Sequence, residues 1–176
     1  MQRQTYESMT DALRVRPCLA KATIAANKTI TYAIYLAYPS LICWLVFTSC
    51  ASGFANEHQT ALLLKAVLVP ALGFALLSVF RKAVNAPRPY EVFDLPPVMP
   101  KSTKGKSFPS RHVFSIFVIG VAFAACCPIA WAGPAFLVLG VLLAGIRVVT
   151  GVHFPKDVIA GALFALLWGA IGFYAL

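Results

Sequence analysis

From Ile30 to Cys50 the chain runs without one formally charged side chain. A helix needs about 20 apolar residues to cross the hydrocarbon core of a bilayer, and this stretch supplies them. Four further stretches follow the same pattern. Ala61 to Phe80 carries only Lys65, near its start, where the side chain can reach the interface. Pro109 to Cys127, Ile129 to Val149 and Val158 to Leu176 complete the set, with Arg147 near the end of the fourth. The expected fold is therefore an all-α integral membrane protein, a bundle of about five transmembrane helices, six being possible. Pro39 and Pro70 fall inside the first two spans, and lipid-embedded helices tolerate proline when neighbours satisfy the freed carbonyls.

Composition excludes the soluble alternative. Of the 176 residues 60% are hydrophobic and 12% charged, against about 25% charged in a typical soluble domain. A soluble chain of this size could not hide so much apolar surface. Small residues recur in the last two spans, at Gly133, Gly140, Gly145, Gly161, Gly169 and Gly172, and permit close helix contact in lipid. Trp131, Trp168 and Tyr174 are candidate interfacial anchors.

The first 28 residues carry five basic and two acidic side chains and no long apolar core. They do not match a cleavable signal peptide. A helix over about Met9 to Ala26 is expected to lie at the membrane interface, with Pro17 able to break it. The chain thus divides into a basic, interfacial segment, 1–28, and a transmembrane domain, 29–176. The five cysteines, Cys18, Cys43, Cys50, Cys126 and Cys127, lack metal-ligand spacing and read as small hydrophobes.

The net charge of +9 is placed unevenly. Apart from Lys65, every Lys and Arg lies in the N-terminal segment, in Arg81 to Arg111, or in Arg147 to Lys156. With five spans these three regions share one side of the membrane. The opposite connections, Ala51 to Thr60 and around Pro128, carry neither residue. Such charge suits anionic headgroups or a phosphorylated substrate, and no nucleic-acid motif accompanies it.

Three polar clusters meet on that side: "RKAVNAPRPYE", Arg81 to Glu91; "KSFPSRH", Lys106 to His112; and "RVVTGVHFPKD", Arg147 to Asp157. His153 and Asp157 are four apart. If a helix starts near Phe154 or Pro155, the aspartate lies one turn inside it and can fix the imidazole tautomer while the other nitrogen attacks. Arg81, Lys82, Arg88, Arg111 and Arg147, with Ser110 as a hydroxyl donor, need an anion between them, and guanidinium forks match phosphate oxygens. His112 can protonate a departing oxygen and then activate water. Lys101, Lys104 and Lys106 read as a solvated or headgroup-facing loop, and His58, on the other side, has no role.

These residues resemble the motifs of the type 2 phosphatidic acid phosphatase (PAP2) superfamily, the lipid phosphate phosphatases. The first motif, Lys, six residues, Arg-Pro, is matched by Arg81 and Arg88-Pro89 with Arg for Lys. Pro-Ser-Gly-His appears as Pro109-Ser110-Arg111-His112. Ser-Arg, five residues, His, three residues, Asp appears as Arg147, His153 and Asp157, with Ile146 in place of Ser. The resemblance covers roughly Arg81 to Asp157. It implies a membrane enzyme that removes phosphate from a lipid phosphate or diphosphate without metal or cofactor. His153 would be the nucleophile, Asp157 its partner and His112 the acid and base. Arg81, Arg88, Ser110, Arg111 and Arg147 would surround the phosphate, with Lys82 auxiliary or sharing the role of Arg81.

Two alternatives compete. A metal-dependent hydrolase would use His112, His153 and Asp157 as ligands, but the surrounding cations repel a metal ion. A non-catalytic anion or lipid-phosphate binding or transport protein would keep the cations without turnover; the internal repeat common in transporters is missing. The expected partners are the lipid substrate and membrane lipids, not nucleic acid. Undecaprenyl diphosphate, phosphatidylglycerol phosphate and phosphatidic acid are all candidate substrates. The expected location is the cell membrane. The positive-inside rule places the cationic face in the cytoplasm, whereas bacterial relatives that recycle undecaprenyl diphosphate work on the outer face.

Overall fold

The computed structural model describes residues 1–175, and among them no strand forms. The order is α1 (Arg3–Arg14), α2 (Pro17–Ala51), α3 (Glu57–Val84), the short α4 (Pro89–Val92), α5 (Arg111–Cys126), α6 (Ala132–Val149) and α7 (Pro155–Ala170), closed by a π-helical turn, Ile171–Ala175. Residue Leu176, the expected end of the fifth span, lies outside the described residues.

Helices α2, α3 and α6, and α7 continued by the π-helical turn to Ala175, are long and apolar enough to cross a bilayer, and the chain is a multi-pass membrane protein. Helix α5 has 16 residues, about 24 Å of rise, less than the roughly 30 Å of a hydrocarbon core. Its placement explains this. It is apolar all round and packs against α6, α7, α3 and α2, so Val113, Phe114, Ile116 and Ala122 are buried on different faces. A helix apolar on every side belongs in the centre.

The ends follow local chemistry. Pro17 sits in the first turn of α2, where its missing N–H costs nothing. The surface helix expected over Met9 to Ala26 is therefore not formed as such. The chain breaks at Val15 and Arg16, and residues 17–26 are the first turns of α2. Asn56 caps α3 by accepting from the Gln59 N–H (3.1 Å), and Asn85 ends it in the left-handed region at φ 42°.

Helix α1 docks on the bundle through buried Tyr6, Thr10 and Leu13. The Tyr6 ring lies 5.2 Å from Phe93, and its hydroxyl donates to Leu95 O (3.3 Å). The same hydroxyl reaches Gly151 O at 3.5 Å. This helix braces the loops that flank the polar end of the bundle.

Both prolines are accommodated. Pro70 cannot donate to the carbonyl of Ala66, and the Tyr38 hydroxyl donates to it instead at 2.8 Å. Trp168, expected at the interface, turns inward: its indole N–H donates to Val69 O at 2.7 Å. Gly73 makes the room, since a Cβ there would stand 2.6 Å from the indole nitrogen. Trp131 and Tyr174 are exposed, as an anchor requires.

Candidate active site

The C-terminal ends of α3 and α6 and the N-terminal ends of α5 and α7 converge at one end of the bundle. Between them lies a cavity of about 300 Å³ lined by Arg81, Lys82, Arg88, Arg111, His112, Arg147 and His153. Lys101 and Lys106 line it as well. The three polar clusters therefore share one enclosure, and no acidic side chain is among its lining residues.

Backbone contacts fix the starting points of α5 and α7. The Ser110 N–H donates to Asp157 O at 2.8 Å, joining the start of α5 to the start of α7. Gly161 permits the approach: a Cβ there would lie 2.6 Å from Ser110 O. After α6, Gly151 adopts φ 76° and the chain reverses, so that the N–H groups of Val152 and His153 both donate to Arg147 O (3.1 Å each). This left-handed ending brings His153 back beside Arg147.

Asp157 occupies the first turn of α7 behind Pro155, as the spacing predicts. One carboxylate oxygen, Oδ2, accepts from the Phe154 N–H (3.0 Å) and lies 3.4 Å from His153 Nδ1. The aspartate thus caps its own helix and faces the imidazole. His153 is almost wholly buried, and burial lowers its pKa from the ordinary value of 6.5 to about 4 against the opposing pull of Asp157. Burial thus favours the neutral ring.

The cations divide by what they touch. Arg147 is 3% exposed, pairs with no carboxylate, and its Nε has no partner. A buried, unpaired guanidinium is costly. Arg88 is also buried and donates through Nε to Gly105 O (3.1 Å) and through Nη1 to Val152 O (3.3 Å). Arg81 is committed further: its Nη1 donates to Ser107 O and Pro109 O and its Nη2 to Lys106 O. It clamps the turn before α5, while adjacent Lys82 is exposed on the cavity rim. Arg111 stands over the Phe74 ring at 5.4 Å. The Ser110 hydroxyl is fully buried and has no partner.

Three participants escape the sequence reading. Lys101, assigned there to a headgroup-facing loop, lines the cavity instead. Burial, reinforced by Arg88, Arg147, Arg111 and Arg81, holds its ammonium pKa below the usual lysine range. Glu91 accepts from the N–H groups of Arg88 (2.8 Å) and Gly105 (2.9 Å), pinning the loop over the cavity. The Arg-Pro-Tyr-Glu spacing carries that signal, because a Glu three residues after a helix cap reaches back to it. Ser107, with no exposed surface, touches both Asp157 and His153. His58 is exposed in the first turn of α3, at the other end of that helix from Arg81. Ile146 packs against the hydrophobic core.

Comparison with known proteins bears on the family and the fold. The family model "PAP2 superfamily" matches residues 62–176, well over half of the chain. A protein of Escherichia coli (strain K12) named a candidate undecaprenyl-diphosphatase, YbjG, is 38% identical over 74 residues. That match covers 38% of this chain and 37% of the relative, so the chain spans well under half the length of that relative. Among solved structures, Aquifex aeolicus LpxE superposes with a TM-score of 0.67 at 23% identity, covering 96% of this chain and 92% of that one. A transmembrane PAP2-type phosphatidylglycerolphosphate phosphatase from Bacillus subtilis gives 0.54 at 20% identity, covering 96% and 90%. With three motifs in register around one cavity and a family match over its whole extent, the chain belongs to the PAP2 superfamily.

Proposed function

We propose that this protein is a lipid phosphatase that hydrolyses a phosphate monoester or diphosphate at a bilayer surface through a phosphohistidine. The observation that carries the reading is Arg147. A guanidinium buried at the end of an apolar helix, with no carboxylate and with Nε unpartnered, awaits an anion. The buried Ser110 hydroxyl at the start of α5 is a second donor without a partner.

The geometry supports a two-step route. With Nδ1 of His153 turned toward Asp157, Nε2 is the attacking atom. Attack forms a P–N bond and breaks the bond from phosphorus to the leaving oxygen, which takes a proton from His112. Water then attacks phosphorus and gives a proton to His112. The P–N bond breaks, and neutral His153 is restored. Arg88, Arg147 and Ser110 hold the equatorial oxygens, where charge gathers during transfer. No metal is needed in this route, because the guanidinium groups supply the positive charge.

The cation surplus bears on the headgroup. One phosphoryl group is met by Arg88 and Arg147, yet Lys82, Lys101, Lys106 and Arg111 also line the cavity. That excess favours a diphosphate of the undecaprenyl type over phosphatidic acid. An apolar groove lined by Ile34, Tyr35, Phe74, Arg111, His112 and Leu143 adjoins the cavity and suits the tail of a substrate that remains in lipid. The protein acts in the cell membrane on this reading.

The test is phosphate release by purified protein from a panel of lipid monophosphates and diphosphates, with and without a chelator. Wild type is expected to turn over chelator-insensitively and to be inhibited by vanadate, which mimics pentacoordinate phosphorus. His153→Ala is expected to lose at least about 10³-fold in kcat. Full activity in that variant ends the phosphohistidine route, and binding without turnover in wild type favours the non-catalytic alternative.

A further inference from the structure

Ser107 lies in none of the residue positions that the three motifs define, yet its side chain is the one that joins two of the clusters. Its backbone is held from both sides. The Ser107 N–H donates to Ala86 O at 2.9 Å, and its carbonyl accepts from Arg81 Nη1 at 3.3 Å. The neighbouring carbonyls of Lys106 and Pro109 are also taken by Arg81. The residue therefore has no freedom to swing, and its side chain is completely buried.

The hydroxyl sits between the nucleophile and its carboxylate. Ser107 Oγ is 3.3 Å from His153 Nδ1 and makes a close hydrogen bond to Asp157 Oδ2. The direct separation of Nδ1 from Oδ2 is 3.4 Å, and both approaches to Nδ1 are longer than a good N–H···O bond, about 2.7–3.2 Å, so hydroxyl and carboxylate share that side of the ring. An ionised carboxylate has no proton to offer, so the single Ser107 proton must point to Oδ2. The oxygen lone pairs then face the imidazole, and only an Nδ1–H can use them.

We propose that Ser107 is a positioning residue that relays Asp157 to His153, a His–Ser–Asp chain that holds the proton on Nδ1 and leaves Nε2 bare for attack. The inference rests on His153 being the nucleophile. It also gives Arg81 a purpose apart from the phosphate, since the turn that it grips is the one that carries Ser107. The tautomer is set here by a hydroxyl that accepts from one group and donates to the other, alongside the direct approach of Asp157.

The experiment compares Ser107→Ala, Ser107→Thr and Ser107→Val in the full chain, using a soluble short-chain lipid phosphate and histidine ring ¹⁵N chemical shifts. Thr and Val have the same bulk, so any packing cost is common to both and their difference reports the hydroxyl alone. Ser107→Ala and Ser107→Val are expected to lose about 10- to 100-fold in kcat, the usual effect of removing a group that orients a catalytic one. KM is expected to stay within about twofold and Ser107→Thr to recover most of the rate, because the phosphate contacts remain. The His153 ring is expected to show a protonated Nδ1 in wild type and a mixture of tautomers in Ser107→Ala. Equal rates in the Thr and Val variants, a wild-type ring protonated on Nε2, or an unchanged tautomer in Ser107→Ala would each overturn the relay. Those outcomes leave the phosphatase reading standing if His153→Ala is still inactive, whereas an active His153→Ala removes both.

Discussion

Arg147 shows what a buried, unpaired cation costs its own fold. Its guanidinium lies at the end of α6 with 3% exposure and no acidic partner, in a cavity whose other charges have the same sign. Replacing a poorly compensated buried charge by an apolar side chain of similar size is often stabilising, by about 1–4 kcal/mol. Arg147→Met is therefore expected to raise the thermal midpoint of the purified protein without substrate while abolishing phosphate release. Vanadate should narrow the gap from the other direction. It fills the cavity in wild type and raises its midpoint, by the linkage that any ligand of the native state obeys, and it should do nothing for Arg147→Met. Thermal melts of both proteins with and without vanadate check the pair of expectations. A variant less stable than ligand-free wild type would mean that Arg147 is held by contacts other than an anion.

At the scale of helices, the site depends on how closely α7 approaches the start of α5. Gly161 sets that approach, because a Cβ would meet Ser110 O at 2.6 Å, a backbone atom that cannot step aside as a flexible side chain can. Gly161→Ala must separate the two helix ends or strain them, at a cost of about 1–3 kcal/mol. The hydrogen bond from Ser110 N–H to Asp157 O spans the same gap and would lengthen with it. The expected result is a lower thermal midpoint together with a fall in kcat of about 10-fold or more, because small misplacements of reacting groups are felt strongly. Gly145→Ala, which meets nothing within 4 Å, is the control and should change neither. The same contrast explains what the sequence could reveal. His153, Asp157 and Pro155 act within one helical turn, so their spacing alone discloses their relation. Ser107 and Lys101 act across a loop whose path is decided by Arg81 and Arg88 gripping distant carbonyls, and nothing in local periodicity encodes that path. Trp168 misleads for a related reason. An indole near a helix end reads as an interfacial anchor, whereas the opening that draws it inward is made by Gly73 on another helix. Pro17 was visible as a breaker, but which side of it joins the long helix depends on α1 finding a dock at Phe93 and Gly151.

For the whole molecule, the decisive number is the count of crossings. Helices α2, α3, α5, α6 and α7 run in alternating directions, which places α1, the loop from Asn85 to Ser110 and the loop from Thr150 to Phe154 at one end of the bundle. Helix α5 is the short member: it has 16 residues, fewer than an average hydrocarbon core needs, and unlike α7, which the π-helical turn extends to Ala175, nothing continues it. If it did not cross, Lys101 and His153 would lie on opposite sides of the membrane, and they could not line one cavity. The bundle resolves this by surrounding α5 with protein, so its ends face other helices and the cavity rather than lipid. A direct check uses single cysteines in a background with the five native ones replaced. Ser8→Cys in α1 and Lys104→Cys in the loop before α5 are both exposed, as is Glu57→Cys at the start of α3. A membrane-impermeant thiol reagent applied to sealed vesicles of one orientation should label the first two together and Glu57→Cys only from the other face. Labelling of Ser8→Cys and Lys104→Cys from opposite faces would break the alternation, and with it the convergence of four helix ends on which a phosphate cage at the bilayer surface depends.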